Sequence, residues 1–419
     1  MQFARPPVLD TNDERSKERF ETIAPGQSQG IFGMQHADKT KIMKAIHRFA
    51  KTRIWYRSRR QLLVLAIKEA KRRQSSPLRF LQSLIFSWEF RVHPDSFYKY
   101  KLFQNWRLRR QYIFHDEIVC ILPTLDRKFS PDDAADLDDK RRFEQRCLAA
   151  GLPCVRTIVE FSGGQTTQSI EAHNGDVFVK YHDRWGGEGA TIWHYIGGRY
   201  QNGARSLSFS ELLVELAAKS VNRPILLQPR YRNHPALAKI SGHALCTSRV
   251  VTVRDGRSIH VCAAVLRTST GENVADNFDL GGLAAPVDLV TGKITGPAAA
   301  KDTRKEPNRF ERHPVGGGLF AGKTIPLWDQ VKKLAIRSHE EFSNMPSVGW
   351  DIAITTDGPI LVEGNTGWGV DLIQMAHNAP IANSSIPGLL LNFIEAINSG
   401  DRADGKAGES RDLIEQVTP

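Results

Sequence analysis

The sequence predicts an α+β protein in which antiparallel hairpins follow a basic, mainly helical N-terminal region. Short runs of β-branched and apolar residues, separated by turn residues, dominate the chain after about Pro153. Asp255-Gly256 and Asp357-Gly358 are typical of tight turns between paired strands. Helical periodicity recurs between the strands, at 209–221, 326–343 and 385–398.

The composition is that of an ordinary globular chain. Of the 419 residues, 41% are hydrophobic and 25% are charged. No run approaches the roughly 18 apolar residues that a membrane span needs, and the N-terminus lacks the apolar stretch of a signal peptide. The five cysteines are irregularly spaced, which predicts reduced thiols rather than a disulfide framework or a zinc site. We therefore expect a cytoplasmic protein.

The positive charge is concentrated in one segment. The net charge is +11, yet residues 39–110 alone contain 20 Lys or Arg and 3 Asp or Glu. The pattern favours a helical subdomain with a solvated basic face or a surface that docks a protein partner. A peripheral position at the inner membrane surface is the second interpretation, and nucleic acid is disfavoured.

The remaining elements follow in chain order. Residues 1–38 are polar and predicted to be disordered, as is the tail from 399. "EIVCILP", residues 117–123, is interpreted as a buried strand. "SPDDAADLDDKRRFEQRCLAAGLP" is interpreted as one capped helix that ends at Gly151.

"GGLFAGKT", residues 317–324, fits the phosphate-binding P-loop pattern but not its context. A P-loop joins a buried strand to a helix. The residues before it are charged and include Pro314, and Pro326 removes a backbone donor just after it. We interpret the segment as a Gly-rich loop before a helix that begins near Pro326.

A second glycine-rich stretch is a better candidate for phosphate binding. In "DVFVKYHDRWGGEGA" an apolar strand carries Lys180, and a glycine loop follows at 186–189. A lysine on a strand can neutralise phosphate, and backbone N–H groups of such a loop can close over it. A hairpin with a surface lysine is the structural alternative.

"GWDIAITTDGPILVEGN" predicts a hairpin with an oxygen-rich face. A three-residue loop with Gly358 left-handed would place Asp351 opposite Glu363, with Asn365 on the same face. A two-residue turn would place Asp351 on the other face. Carboxylates among apolar neighbours need a partner, and such oxygen ligands suit Mg²⁺. An exposed acidic hairpin is the alternative.

These pieces, in this order, resemble the ATP-grasp superfamily over roughly residues 116–395. "RNHPALAKISGHALCTSRVVTV", "HPVGGGLFAGKTIPLW" and "VGWDIAITTDGPILVEGN" resemble its sugar-transfer-associated family, which is related to glutamate ligases. The resemblance implies the ATP-grasp fold, in which two α+β lobes grip ATP. It implies a preceding segment at 116–170, a small lobe at 171–230 and a large lobe at 231–398. The basic helical region, taken as 39–115, and the tail at 399–419 flank these parts.

The resemblance also implies the roles of individual residues. "DDK" is similar to the helix-start lysine on ATP phosphate, and the hinge strand beside adenine has glutamine where many members have glutamate. The cofactor-binding residues implied are Lys140, Lys180, Gly186, Gly187, Gly189 and Gln228. Those implied to face phosphate and the reaction intermediate are Arg249, Arg267 and Asn277, and those implied to bind the metal are Asp351, Glu363 and Asn365.

The function implied is an ADP-forming ligase that uses ATP and Mg²⁺, with Mn²⁺ as the alternative ion. It would activate a small-molecule or peptide carboxylate for attack by an amine or similar nucleophile, in modification of cell-surface glycans or peptides. Two alternatives remain open: an ATP-binding regulatory or adaptor protein docked to a membrane or a partner by its basic helices, and an ATP-dependent phosphotransferase.

Overall fold

The computed structural model describes residues 57–398, except for 167–172, 183–188, 243, 272–274, 303–307 and 382–383. The predictions of disorder at 1–38 and from 399, the start of the basic region at 39–56, and Gly186 and Gly187 lie outside the described residues. The basic region is helical where it is described, as the sequence predicts. Within the described part, no helix is both long and apolar enough to cross a membrane.

The helices occur in three groups along the chain. Among the described residues, four precede or enter the region resembling ATP-grasp proteins, two more lead into the first strand, and four are interspersed with or follow the strands. Their bounds are α1 Arg59–Arg72, α2 Pro77–Phe90, α3 Asp95–Lys99, α4 His115–Phe129, α5 Pro131–Asp138, α6 Lys140–Ala149, α7 Phe209–Lys219, α8 Trp328–Glu341, α9 Val370–His377 and α10 Ile386–Asn398. Short 3-10 turns lie at Trp106–Arg110, Pro235–Leu237 and Phe278–Leu280.

The first sheet has seven antiparallel strands in the order β2-β1-β7-β3-β4-β5-β6. The helix α7 packs on it through Leu212 and Leu216, and Ser208 and Glu211 cap that helix reciprocally. The sheet includes residues before 171, since β1 and β2 belong to it. The strands are β1 Val159–Ser162, β2 Gln165–Thr166, β3 Val177–Tyr181, β4 Thr191–Ile196, β5 Arg199–Asn202, β6 Arg205–Leu207 and β7 Ile225–Pro229.

The second sheet also has seven antiparallel strands, in the order β12-β11-β10-β9-β8-β13-β14. It contains the hairpins predicted at Asp255-Gly256 and Asp357-Gly358, and both are confirmed. The strands are β8 Thr247–Arg254, β9 Ile259–Thr268, β10 Leu283–Pro286, β11 Ala298–Ala300, β12 Arg309–Phe310, β13 Ser347–Thr355 and β14 Gly358–Asn365.

Alternation along the second sheet directs its side chains to two cores. Trp350, Ile352 and Ile354 of β13 lie in one core with α8. Val251 and Val265, on the neighbouring strands, lie in a second core with α4, α9 and α10. Asp351 lies between Trp350 and Ile352 on β13, so its side chain is on the opposite face of the sheet from theirs. It pairs with Arg249, and this face is the one that packs in the second core. The fold thus carries a buried carboxylate on an otherwise apolar strand.

The prediction of a strand at 117–123 is wrong, because this segment lies within α4. Ile118, Ile121, Leu122 and Leu125 are all buried, and their spacing places them on one face of a helix. Glu117 caps the helix by accepting a hydrogen bond from the backbone N–H of Phe114, at 2.9 Å. The seven residues read as a strand were too short a window to show this periodicity.

The single helix predicted from Ser130 is instead two helices, α5 and α6. Asp139 interrupts them with extended backbone, and its carboxylate accepts hydrogen bonds from the backbone N–H groups of Arg141 and Arg142, at 2.8 and 3.1 Å. The predicted end is confirmed, since Gly151 follows with a φ of +64°. Lys140 consequently is the first residue of a helix.

The segment 317–324 lacks the architecture of a P-loop. The nearest described strand before it, β12, has two residues, and α8 begins four residues after Thr324. Gly318 packs on a neighbouring loop: it donates its N–H to the carbonyl of Lys239 at 2.8 Å, and a Cβ on it would lie 2.6 Å from that oxygen. Gly316, just before the segment, approaches the same oxygen, so these two glycines serve close backbone packing.

Candidate active site

The β13–β14 hairpin places two carboxylates side by side. Thr355 pairs with Gly358, so the predicted three-residue loop is wrong, although φ at Gly358 is +122°. The register then shifts between Asp351 and Ile352, and this irregularity pairs Asp351 with Glu363, as predicted. The two-residue turn alone would have placed Asp351 on the face opposite to Glu363, and the β-bulge places both side chains on the same face.

Two arginines hold Asp351. Arg249 donates to both carboxylate oxygens, at 2.5 and 2.9 Å, and Arg267 donates to one of them at 2.5 Å. All three side chains are buried. Burial alone would raise the pKa of Asp351, but the two guanidinium groups hold it well below its usual range. Asp351 is therefore ionised throughout the neutral pH range.

Arg267 links this pair to a second buried carboxylate. Its Nη2 donates to Asp276 at 3.0 Å, and the other oxygen of Asp276 accepts from the backbone and hydroxyl of Thr247, at 2.9 and 2.5 Å. The Nε of Arg267 is buried without a hydrogen-bond acceptor among the described residues. A buried donor is costly unless something accepts from it, so this atom is suited to an oxygen of a bound ligand.

No arginine of the described part of the chain lies at hydrogen-bonding distance from Glu363. Burial and the neighbouring charge of Asp351 raise its pKa. Asn365 Nδ2 lies 3.2 Å from the carbonyl of Gly349 and 3.5 Å from Glu363, which leaves its amide oxygen for a cation. Two carboxylates and an amide oxygen fit a hard divalent ion, which would relieve the repulsion between them. The described residues contain no group of three or more His, Cys, Asp or Glu arranged for a metal, so phosphate oxygens or water would complete the coordination.

Lys180 of the first sheet and Lys140 at the start of α6 lie near each other, and Lys180 interacts electrostatically with Glu363. Lys180 lies on β3, and its burial lowers its pKa to about 8. The negative charge of Glu363 partly opposes this shift, and the positive charge of Lys140 adds to it. The ammonium of Lys140 donates to the carbonyl of His182, just beyond the end of β3. The fold therefore brings a cation of the first sheet within electrostatic range of a carboxylate of the second.

The other predicted cofactor-binding residues lie around β3. Gln228 is buried on the adjacent strand β7, opposite Phe178, and its amide nitrogen lies 3.4 Å from the hydroxyl of Thr157. Gly189 ends the glycine loop with a φ of +74°, and a Cβ there would lie 2.8 Å from the ring of Tyr181. A side chain at this position would force the loop away from the strand.

Asn277 stabilises the turn in which it lies. Its side chain accepts from the N–H of Asp279 at 2.8 Å and so caps a 3-10 turn, while its carbonyl accepts from Gly282 at 2.8 Å. Of the three residues predicted for catalysis, Arg249 and Arg267 thus converge on Asp351, whereas the hydrogen bonds of Asn277 within the described part of the chain are those of its own turn. The sequence analysis missed Asp276 and Thr247; an acid directly before Asn277, in a stretch already singled out, was the available signal.

Comparison with known proteins agrees with this architecture. Residues 125–386, more than half of the chain, match the sugar-transfer associated ATP-grasp family. Similar solved structures include the ATP-grasp ligase PsnB complexed with precursor peptide PsnA2 and AMPPNP, at 15% identity, 70% coverage of this chain, 72% of that chain and a TM-score of 0.35.

Two further solved structures are similar to the chain. D-alanine–D-alanine ligase from Bacillus anthracis complexed with ATP is 8% identical, with 64% of this chain and 69% of that chain covered and a TM-score of 0.37. D-alanyl-alanine synthetase A from Vibrio cholerae O1 is 13% identical, with 68% and 75% covered and a TM-score of 0.38. No curated protein matches the chain. On the family match, the chain belongs to the sugar-transfer-associated ATP-grasp family.

Proposed function

We propose that the chain is an ATP- and Mg²⁺-dependent ligase that activates a carboxylate as an acyl phosphate for attack by an amine or similar nucleophile. One observation carries the proposal: Lys180 of the first sheet lies within electrostatic range of Glu363 of the second, beside the buried Asp351. A nucleoside triphosphate with a divalent ion requires cations for its phosphates and carboxylates for the ion. Family membership supports the ATP-dependent ligase class.

The residues divide into groups that bind and groups that orient. Lys140 and Lys180 would neutralise phosphate oxygens, the glycine loop ending at Gly189 would close over them, and Gln228 would lie beside adenine. Asp351, Glu363 and Asn365 would hold Mg²⁺, or Mn²⁺ in its place. When bound, the ion supplies charge that stabilises the phosphate oxygens during transfer.

The proposed reaction has two displacements. An oxygen of the substrate carboxylate attacks the γ-phosphorus, the bond from that phosphorus to the bridging oxygen breaks, and ADP leaves. The nucleophile then attacks the acyl carbon, phosphate leaves with the C–O bonding pair, and the nucleophile loses its proton. Arg267, whose Nε has no acceptor among the described residues, is suited to the negative oxygens of these intermediates. Arg249 and Asp351 fix its position.

The family's association with sugar transfer suggests the first substrates to test. Carboxylates of sugar acids, amino acids and peptides found in cell-surface glycans or peptide modifications are the proposed class. This part of the proposal rests on the family description alone.

The test is ADP formation from ATP and Mg²⁺ with pooled amino acids, peptides and sugar acids. Glu363→Ala removes a proposed metal ligand, and Asp357→Ala removes an exposed acid from the turn of the same hairpin as a matched control. We expect substrate-stimulated ADP formation in the wild type and the control, and its loss in Glu363→Ala. An amide product identified by mass spectrometry supports the ligase.

Other results would replace the proposal with its alternatives. A phosphorylated hydroxyl as the product would identify a phosphotransferase. ATP binding that no pool converts to ADP would favour the regulatory or adaptor protein.

A further inference from the structure

A stripe of large apolar side chains lies exposed along α2. Leu78, Leu81, Ile85 and Trp88 are 66, 51, 45 and 39% exposed. Their spacing of three, four and three residues places them on one face of the helix. Ser83, Leu84, Phe86 and Ser87, on the opposite face, are the residues buried against the rest of the protein. We call these four exposed residues the α2 stripe.

The neighbouring helix α1 adds cations and further apolar surface. Val64 and Ile67 of α1 are 60 and 40% exposed. The indole N–H of Trp88 donates to the carbonyl of Arg59 at 3.4 Å, so one end of the α2 stripe lies beside the arginine-rich start of α1. Arg57, Arg60, Gln61, Val64 and Leu65 line a groove at that end. Guanidinium groups and apolar side chains therefore share one surface.

The positive charge of this region is not offset by its own acids. Residues 57–110 contain 14 Lys or Arg and 3 Asp or Glu. Each acid, Glu69, Glu89 and Asp95, already forms ion pairs within the region. Four exposed cations of α1 have no ion pair among the described residues: Arg59, Arg60, Lys68 and Lys71.

We propose that the α2 stripe docks on an anionic lipid bilayer, with its apolar side chains at the level of the acyl-chain boundary and the α1 cations against the headgroup phosphates. Charge complementarity requires a negative surface, and the exposed leucines and isoleucine require an apolar one. Nucleic acid offers only the first, since its backbone presents phosphate and sugar. An anionic bilayer offers both, and a tryptophan beside arginine is suited to the interface between them.

The dimensions fit a helix that lies in the plane of the interface. The stripe extends from Leu78 to Trp88, eleven residues or about 15 Å along the helix axis, which is half the roughly 30 Å of a hydrocarbon core. An acidic partner protein is the competing occupant. We favour lipid because the stripe lies on the outward face of one helix, and the exposed cations of α1 lie beside it.

Docking at α2 would also fix the position of the candidate active site. The region is joined to the second sheet through a buried polar network: Lys99 Nζ lies 2.9 Å from Asp371 of α9, and Gln374 donates to the hydroxyl of Tyr100 at 3.0 Å. Trp368, just before α9, accepts from Arg249 at 2.9 Å. The bound protein would hold its active site at the bilayer rather than on a loose tether.

The test is co-sedimentation of the full chain with phosphatidylcholine vesicles, with and without about one third phosphatidylglycerol. Leu81→Glu/Ile85→Glu changes the centre of the α2 stripe. The matched control is Val214→Glu, which alters an apolar side chain of α7 that is 71% exposed. We expect wild type and control to bind the anionic vesicles alike, and the double variant to bind them at least about tenfold more weakly. The double variant places charge where apolar side chains would be buried in the bilayer.

A second variant tests the cations. Lys68→Glu/Lys71→Glu reverses two exposed charges of α1 and should weaken binding about tenfold or more, at roughly 1 kcal/mol per basic residue near the surface. Arg223→Glu, an exposed cation near β7, should leave it unchanged. All of these variants should keep wild-type ATP affinity, so a failure of the docking proposal is separate from a failure of the proposed ligase function.

Three outcomes would overturn the proposal. The first is no binding to anionic vesicles, which would mean that another part of the chain or a protein covers the stripe. The second is equal binding by Leu81→Glu/Ile85→Glu and the wild type. The third is a lipid-free dimer, measured by light scattering, that this double variant dissociates, which would make the stripe an interface between two copies of the chain.

Discussion

Replacing Lys180 should remove a pH dependence from ATP binding. Burial lowers the pKa of this lysine to about 8, and the phosphates of bound ATP would raise it again by favouring the ammonium. ATP affinity contributed by Lys180 is therefore fully present well below pH 8 and is lost progressively as the pH rises from about 8 towards the higher pKa of the bound state. A group with a pKa of about 8 is about 90% protonated at pH 7 and about 10% at pH 9, so affinity should fall about tenfold.

The assay is a calorimetric titration of ATP with Mg²⁺ at pH 7 and pH 9. Lys180→Met should bind more weakly than wild type at pH 7 and should show no such tenfold fall. Lys219→Met, which removes an exposed lysine of α7, should keep the wild-type profile. The reasoning is refuted if the wild-type affinity changes less than twofold between the two pH values, or if Lys180→Met shows the same fall.

Two predictions concern stability, measured by urea unfolding. Asp351→Asn removes the charge that two buried guanidinium groups share, and it should lower the free energy of unfolding by about 3–5 kcal/mol. Asp357→Asn, in the exposed turn, is the control and should change it by less than about 0.5 kcal/mol. Equal effects of the two variants would contradict the buried cluster. Gly349→Ala places a Cβ 2.3 Å from that of Trp368 and should cost about 1–3 kcal/mol. Gly367→Ala, with nothing within 4 Å, is its control, and an equally small cost for both would show that the site is not tightly packed.

The carboxylate pair could be predicted from the sequence because its geometry is local. A hairpin fixes the pairing of Asp351 with Glu363 within fifteen residues of chain. The loop length was nevertheless wrong, and the bulge that corrected it left no signal in the turn residues. Lys180 on a strand could likewise be predicted, since apolar alternation is a short-range pattern. The helix start at Lys140 was implied by the family resemblance alone, because the residues themselves were interpreted as one helix from Ser130.

The buried charge network could not be predicted, because it depends on the register of strands distant in sequence. Arg249 reaches Asp351 only because β8 pairs with β13, about a hundred residues later in the chain. Arg267 reaches it from the next strand, and Asp276 arrives on the loop that follows. The wrong prediction of a strand at 117–123 has a local cause. The window of seven residues was too short to show helical spacing, which the buried positions along the whole of α4 do show.

The central claim is that Glu363, with Asp351, holds a divalent ion against ATP, and calorimetry of ATP binding with Mg²⁺ or with EDTA tests it most directly. We expect the wild type to bind ATP at least about tenfold more tightly with Mg²⁺, given a site of carboxylates and phosphate oxygens. Glu363→Gln should lose that gain, and Asp357→Asn should keep it. An equal gain from Mg²⁺ in Glu363→Gln, or no ATP binding by the wild type, would contradict the account.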